Sequence, residues 1–357
     1  MKICIVGGGL ISLVLAKALV NKGIYVDIYS NQKLKSPNKY RTLGISKANI
    51  EYLSKNVLNV EKILWKINKI EIYNENLKNE KVLNFENNKQ QLFSIIKNQT
   101  FYSSLIKKLN KSKFFNFKKI AQNKDLLSLK YNLFINCDSN SSIAKKFFYK
   151  KMNKDYESYA HTLVLKHKPI LNNNIAVQIF TDVGPLAFLP ISNRETSVVY
   201  SVKGTRNINL INLVKKYNTK YSIINFSDNF SFELKSSNLR YQHHDNILAF
   251  GELSHKLHPL AGQGFNMSIR DIKVLMDLII FKIDHGLELD KSICSDFEKE
   301  TRHKNYLFSN SIDFIYEFFK LENKINNPIL SKTLQFIGKN KLVNEFCIKF
   351  ADKGILI

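Results

Sequence analysis

The first thirty residues leave the chain few folding options. In KICIVGGGLISLVLAKAL, beginning at Lys2, Ile3 to Val6 is a short buried strand and Gly7-Gly8-Gly9 makes the turn. Leu10 to Leu19 has the length and apolar character of a helix packed under a sheet. Gly23 to Tyr29 then reads as a second strand, so the chain opens as strand, glycine turn, helix, strand. That order predicts a parallel α/β sheet whose first turn binds a dinucleotide. Gly7 permits the tight turn and Gly9 lets backbone approach a pyrophosphate. The third fingerprint position is Ser12, around whose hydroxyl helix and strand must pack. The ribose-holding acidic residue expected at the end of the second strand is replaced by Ser30, followed by Asn31. Asp27 lies three residues too early, so Ser30 or Asn31 is expected to make a weaker ribose contact.

A second glycine-rich loop stands near the C-terminal third, in AFGELSHKLHPLAGQGFNMSIRD, residues 249 to 271. Pro259, Gly262 and Gly264 interrupt regular structure, and a helical pattern opens at Asn266 and reaches Asp271. A glycine loop feeding a helix presents free backbone N–H groups and the positive end of a helix dipole, which suits an anion. Two such loops far apart in sequence predict one large anionic cofactor held at two points.

Together these residues resemble the FAD-dependent aromatic hydroxylases of the p-hydroxybenzoate hydroxylase fold, and within them the ubiquinone-biosynthesis hydroxylases. The pattern G-D-A-A-H-x-x-x-P-x-x-G-Q-G-x-N appears as Gly251-Glu252-Leu253-Ser254-His255, then His258-Pro259-Leu260-Ala261-Gly262-Gln263-Gly264-Phe265-Asn266, followed by Arg270-Asp271. F-x-x-x-G-P-L-A-x-L-P stands as Phe180, Gly184-Pro185-Leu186-Ala187 and Leu189-Pro190. D-G-x-x-S-x-x-R is reduced to Asp138, Ser139, Ser142 and Lys145. Arg41 matches an early arginine that contacts FAD, and Phe297, Glu298 and Arg302 match a late Y-E-x-x-R stretch.

The resemblance implies a Rossmann-like FAD-binding domain with an inserted mixed-sheet substrate domain and C-terminal helices. It implies FAD contacts from Gly7, Gly9, Ser12, Ser30, Arg41, Asp138, Gly251, Glu252, Gly262, Gln263, Gly264, Phe265 and Asn266. Pro259 and Gly264 are the expected flavin-proximal positioning residues, and no side-chain acid or base is assigned. The implied reaction hydroxylates the ring of a polyprenyl phenol in ubiquinone biosynthesis, with NADH or NADPH reducing FAD and O₂ supplying the oxygen atom. A flavoprotein reductase or dehydrogenase on an apolar substrate is the alternative. A third reading is a non-catalytic accessory member of a quinone-biosynthesis complex, suggested by Ser12, Ser30, Ser139 and Glu252, each of which replaces a preferred cofactor contact.

The formal charge of +24 invites a nucleic-acid reading, but only six of the 54 basic residues are arginine. Arginine dominates base-specific and bidentate phosphate contacts, and no zinc spacing or RNA-binding sheet signature is present, so no nucleic-acid partner is expected. The lysines suit a compositional bias, or attraction to an anionic membrane leaflet where a water-insoluble substrate resides. Cys4, Cys137, Cys294 and Cys347 show no C-x-x-C spacing, and Cys4 sits in a buried strand, which fits a reduced cytoplasmic compartment. The glycines and Lys17 argue against a signal peptide, and no run of 18 apolar residues spans a bilayer. The expected location is cytoplasmic, peripheral on the inner face of the membrane. His255 and His258 have a spacing that suits metal on a helix, but Pro259 and the glycines argue against that helix, so no metal is expected.

The expected division gives residues 1–70, 98–158 and 245–357 to the FAD-binding domain with its C-terminal helices. Residues 71–97 and 159–244 go to the substrate-binding sheet. Helices are expected at 46–57, 101–110, 268–284 and 292–323. Strands are expected within 61–95, at 131–137, and at 161–165, 176–180, 186–190 and 196–202. His243-His244 reads as a solvated turn.

Overall fold

The opening strand–turn–helix pattern builds a parallel sheet in the computed structural model. The structure describes residues 1–357 except 32–39, 76–79, 87–90, 121–125, 205–207, 258–261, 326–331, 333–334, 337, 339 and 355–357, and the side chains of 319–320 and 322–325. Along the chain run β1 (Lys2–Val6), α1 (Leu10–Asn21), β2 (Tyr25–Ser30), β3 (Thr42–Ser46), α2 (Lys47–Asn56), β4 (Leu64–Ile67), β5 (Lys69–Asn74), β6 (Lys81–Glu86) and β7 (Phe93–Lys97). Next come α3 (Asn98–Leu109), β8 (Phe115–Lys119), β9 (Leu133–Asn136), α4 (Ser142–Phe147), β10 (Lys151–His167), β11 (Ile175–Phe180), β12 (Pro185–Pro190) and β13 (Glu195–Lys203). The remainder comprises α5 (Leu210–Tyr217), β14 (Ile223–Phe226), β15 (Phe230–Leu239), β16 (His243–His244), β17 (Ile247–Ala249), β18 (His255–Lys256), α6 (Gln263–Asp284), α7 (Lys291–Ile325) and α8 (Lys341–Lys353).

The first sheet has the order β16-β17-β9-β1-β2-β8, parallel except for the β16 edge. A parallel sheet is covered on both faces, and β1 shows it. Ile3 and Ile5 enter the larger core with Leu13, Leu15 and Leu19 of α1, Phe101 of α3, and Ile269 and Ile272 of α6. Cys4 and Val6 face the opposite core with Phe134, Ile143 and Leu253. Each fully buried Leu or Ile stabilises the layer by about 2 kcal/mol. Asp27, in the middle of β2, is buried and bound by Lys118 Nζ at 2.7 Å, Lys2 Nζ at 2.9 Å, Asn116 Nδ2 at 3.1 Å and the Tyr131 hydroxyl. Burial pushes this carboxyl up, but those donors outweigh it and hold it at about 2. Asp27 is therefore spent on the sheet.

The second sheet runs β18-β15-β10-β13-β12-β11-β5-β6, with β14 also pairing β10. It is antiparallel except for the β11–β5 pair. β10 starts ten residues before the expected His161 and pairs with β13, β14 and β15. Its mostly polar first half, KMNKDYES, in which only Tyr156 and Ser158 are buried, hides the strand from an apolar-periodicity reading. β3, β7 and β4 form a small antiparallel sheet beside it. This mixed α/β architecture, a parallel sheet joined to a larger mixed sheet with C-terminal helices, matches the fold class expected from the sequence. Among the described residues no helix is long and apolar enough to cross a membrane.

Two local expectations change. His243-His244 forms the edge strand β16, where the His243 Nδ1–H donates to Glu298 Oε2 at 2.8 Å. α6 begins at Gln263, so Gly264 lies inside the helix and Gly262, at φ 63°, is its N-cap. A glycine costs little in a first turn whose N–H groups lack helical partners anyway.

Candidate functional site

The expected cofactor residues cluster where the parallel strands end. Gly7 follows β1 at φ 110°, and its N–H donates to the Tyr29 carbonyl at 2.8 Å. A Cβ there would meet Asp138 Cβ at 3.2 Å and Asp138 N at 3.3 Å, so only glycine lets the loops after β1 and β9 lie this close. Gly9 differs. Its φ of −73° is open to any residue, yet a Cβ there would find nothing within 4 Å. It is the N-cap of α1, with no side-chain cap and no acidic residue in the first turn. Bare N–H donors thus face open space. The Tyr102 hydroxyl of α3 steadies the loop by donating to the Gly8 carbonyl at 3.1 Å.

Ser12 is fully buried, its hydroxyl beside the Cys137 thiol at the end of β9; burial pushes that thiol up to about 12. Ser12 therefore serves helix–strand packing. Ser30 is buried at the end of β2, with its carbonyl accepting the Ile120 N–H at 3.2 Å. Asp138 Oδ1 accepts the Asn140 N–H at 2.9 Å, and its own N–H donates to Asn136 Oδ1 at 3.1 Å.

The second glycine loop reaches the same end of the sheet. Gly251 stands at φ 62°, and a Cβ there would meet Ile11 Cγ2 at 3.2 Å, so this turn lies against the first turn of α1. Glu252 projects to solvent, and its Oε1 lies 3.8 Å from Arg41 Nη2. The Arg41 carbonyl accepts the first N–H of α3, from Asn98, at 3.0 Å. Gly262 sits over Gly44 of β3, and a Cβ on Gly264 would be 3.9 Å from Leu257. α6 has no side-chain cap and no acid in its first turn. Gln263 is buried, and its Oε1 has no partner among the described residues. Phe265 meets Phe101 edge to face at 6.3 Å. Pro259 lies outside the described residues, as do His258, Leu260 and Ala261.

Asn266 has an unexpected use. Its Oδ1 accepts the Ser46 N–H and an Asn49 amide proton, each at 2.9 Å, and its Nδ2 donates to the Gly44 carbonyl at 2.9 Å. The side chain ties α6 to β3 and α2, and the Asn266 carbonyl joins in by accepting a second Asn49 contact at 3.1 Å. Sequence reasoning also missed a buried link behind the loop. His255 Nε2 meets Asp271 Oδ2 at 2.5 Å, and Asn305 Nδ2 of α7 donates to Asp271 Oδ1 at 2.9 Å. The spacing of His255 and Asp271 was visible, but no linear signal points to Asn305.

Gly7 thus lies against Asp138, Gly251 against the first turn of α1, Glu252 near Arg41 and Gly262 over Gly44. Two uncapped helix N-termini, open space before Gly9 and an unsatisfied Gln263 amide oxygen fit a ligand with a diphosphate and a polar ring edge. FAD has both.

No family model matches the sequence. The chain is 23% identical over 273 residues to the Schizosaccharomyces pombe ubiquinone biosynthesis monooxygenase COQ6, covering 62% of this chain and 57% of that protein. It is 24% identical over 152 residues to the Escherichia coli 3-demethoxyubiquinol 3-hydroxylase, covering 40% and 39% of the two chains. To the Rhodospirillum rubrum ubiquinone hydroxylase UbiL it is 26% identical over 177 residues, covering 46% and 41%. The chain therefore spans little more than half the length of the curated relatives it matches, or less. Among solved structures, p-nitrophenol 4-monooxygenase PnpA from Pseudomonas putida superposes with a TM-score of 0.78 at 12% identity, covering 99% of this chain and 98% of that one. PqsL from Pseudomonas aeruginosa, a probable FAD-dependent monooxygenase, gives 0.69 at 15% identity, covering 95% and 98%. The chain has the fold of the FAD-dependent monooxygenases and is similar in sequence to the hydroxylases of ubiquinone biosynthesis.

Proposed function

We propose that the chain is an FAD-dependent monooxygenase that hydroxylates the ring of a polyprenyl phenol, with NADH or NADPH as reductant. The observation that carries this reading is a pair of uncapped, glycine-led helix N-termini, α1 at Gly9 and α6 at Gly262, on helices that pack against each other. When bound, FAD supplies the redox chemistry and the activation of O₂. The chain's own work is to bind, orient and exclude water. The N-terminus of α1 at Gly9 would hold the pyrophosphate, and Ser30 would lie toward the ribose. Glu252 would accept from ribityl hydroxyls, with Arg41 beside it as countercharge. The N-terminus of α6, at Gln263, Gly264 and Phe265, would stabilise negative charge on the reduced ring by its dipole. Pro259 is proposed as the rigid wall beside the reacting carbon. We assign residues 1–70, 98–158 and 245–357 to the cofactor unit, and 71–97 with 159–244 to the substrate unit, with β5 and β10 reaching back across these bounds to Lys69 and Lys151.

A substrate of this kind lives in lipid, so we also propose peripheral binding to an anionic membrane, driven by the lysine-rich surface. A quinone-biosynthesis protein complex is a further proposed partner. Purified protein should be yellow, and cells lacking the chain should accumulate an under-hydroxylated quinone precursor. Colourless protein that takes up no added FAD favours an accessory role; bound FAD with normal quinone in the deletion favours the reductase reading.

A further inference from the structure

On the far side of the His255–Asp271 link, a cavity of about 730 Å³ opens between the β15–β16 segment and α7. Of the 249–271 segment only Ser254 lines it, and none of the residues expected to hold FAD does. Arg240, Lys299 and Arg302 line it, and the sole carboxylate of the lining is Glu298. That carboxylate is already occupied. Its Oε2 accepts the Gln242 N–H and His243 Nδ1–H, each at 2.8 Å, and its Oε1 accepts from Arg302 Nη1 at 3.3 Å. Lys299 has a solvent-exposed neighbour in Asp296, at 3.5 Å and outside the lining. The wall therefore carries more positive charge than its own groups neutralise.

A second observation points inward. Ser254 lines the cavity, is 3% exposed, and its hydroxyl has no partner among the described residues. A buried hydroxyl left unpaired is costly, and a ligand oxygen in the cavity would satisfy it. Tyr306, half exposed at the rim, offers a ring face.

We infer that this cavity binds a small phosphate-bearing anion, with Arg240, Lys299 and Arg302 as its cationic wall and the Ser254 hydroxyl donating to a phosphate oxygen. A doubly charged anion makes use of several cations at once, and the planar guanidinium matches two phosphate oxygens together. The volume admits either free phosphate or a mononucleotide.

The test is calorimetric titration of the full purified chain with inorganic phosphate and with AMP, each with and without added FAD. Saturable one-to-one binding is expected in both flavin states, so the result stands apart from the monooxygenase reading. AMP binding tighter than phosphate identifies a nucleotide as the source, and equal affinity identifies free phosphate. The double variant Arg240→Glu, Lys299→Glu changes two exposed side chains and should weaken binding about tenfold or more. Ser254→Ala should weaken it several-fold while leaving the melting temperature without phosphate unchanged or higher, because it removes a hydroxyl that lacked a partner. Absence of saturable binding overturns the inference, as does affinity indifferent to both variants. Displacement of FAD by phosphate overturns it too, since the anion would then occupy the glycine loops.

Discussion

Replacing Asn266 by alanine separates structural from cofactor roles in the second glycine loop. The side chain makes three hydrogen bonds at 2.9 Å and is 2% exposed, and its partners Ser46 and Asn49 are buried too, at 4% each. Each bond contributes about 1 kcal/mol net, and the deletion also strands the Ser46 N–H and the Gly44 carbonyl. The expected loss is about 3–4 kcal/mol, a large part of the roughly 5–15 kcal/mol that holds a typical protein folded. Urea denaturation of flavin-free Asn266→Ala should show a lower midpoint at unchanged slope. Asn266→Asp keeps both acceptor bonds but turns a carboxylate oxygen toward the Gly44 carbonyl. That contact raises the folded-state pKa of the new carboxyl, so its penalty grows as pH rises through the carboxylate range and is relieved in acid. A loss below about 1 kcal/mol for the alanine variant would refute the reasoning, because the amide could not then be tying α6 to β3 and α2.

Asp27 should give an acid signature. Its carboxyl is held at about 2 in the fold against an ordinary value near 3.9, so it contributes about 2 kcal/mol that is fully present above about pH 4 and is lost as pH falls toward 2; Asp27→Asn should flatten that part of the stability–pH curve. Gly9→Val should fold yet bind no FAD, because its branched side chain fills open space, whereas Gly7→Ala should destabilise the protein itself by pressing on Asp138; flavin content and melting temperature distinguish the two. Ser30→Glu should tighten FAD binding in a fluorescence titration, and weaker binding would place the adenosine end elsewhere. Binding to anionic vesicles should fall steeply as salt rises and be poor for neutral vesicles, and equal, salt-insensitive binding to both would discount the charge.

Local patterns were legible where one short segment carries the physics. Lys2–Val6, Gly7–Gly9 and Leu10–Asn21 announce a βαβ start because apolar runs and a glycine turn leave one arrangement. The α/β class and the helices α2, α3 and α6 followed from the same kind of signal. The first half of β10 and all of β15 were hidden, since Lys, Asn, Ser and Glu alternate there on a partly solvated sheet. α8 has no buried residue, and its short apolar stripe of Val343, Phe346, Cys347 and Phe350 lies among Lys and Asn residues. Side-chain destinations were the least visible. The contacts of Ser12 with Cys137, of Asn266 with Ser46 and Asn49, and of Asp271 with Asn305 arise only when distant segments fold together.

The placement of β1 sets an order on the birth of the molecule. This strand leaves the ribosome well before its neighbour β9, which ends at Asn136, and the next strand, β17, which ends at Ala249. At translation rates of about 5–20 residues per second, on the order of ten seconds or more separates the synthesis of β1 from that of β17. Throughout that interval Cys4 and Val6 lack the Ala249 and Leu253 side chains that later cover them. A nascent chain in this state presents an apolar edge able to pair with another copy. Holding that edge apart until the last strand emerges is a task for a chaperone, and slowing translation near residue 250 should raise the yield of aggregate.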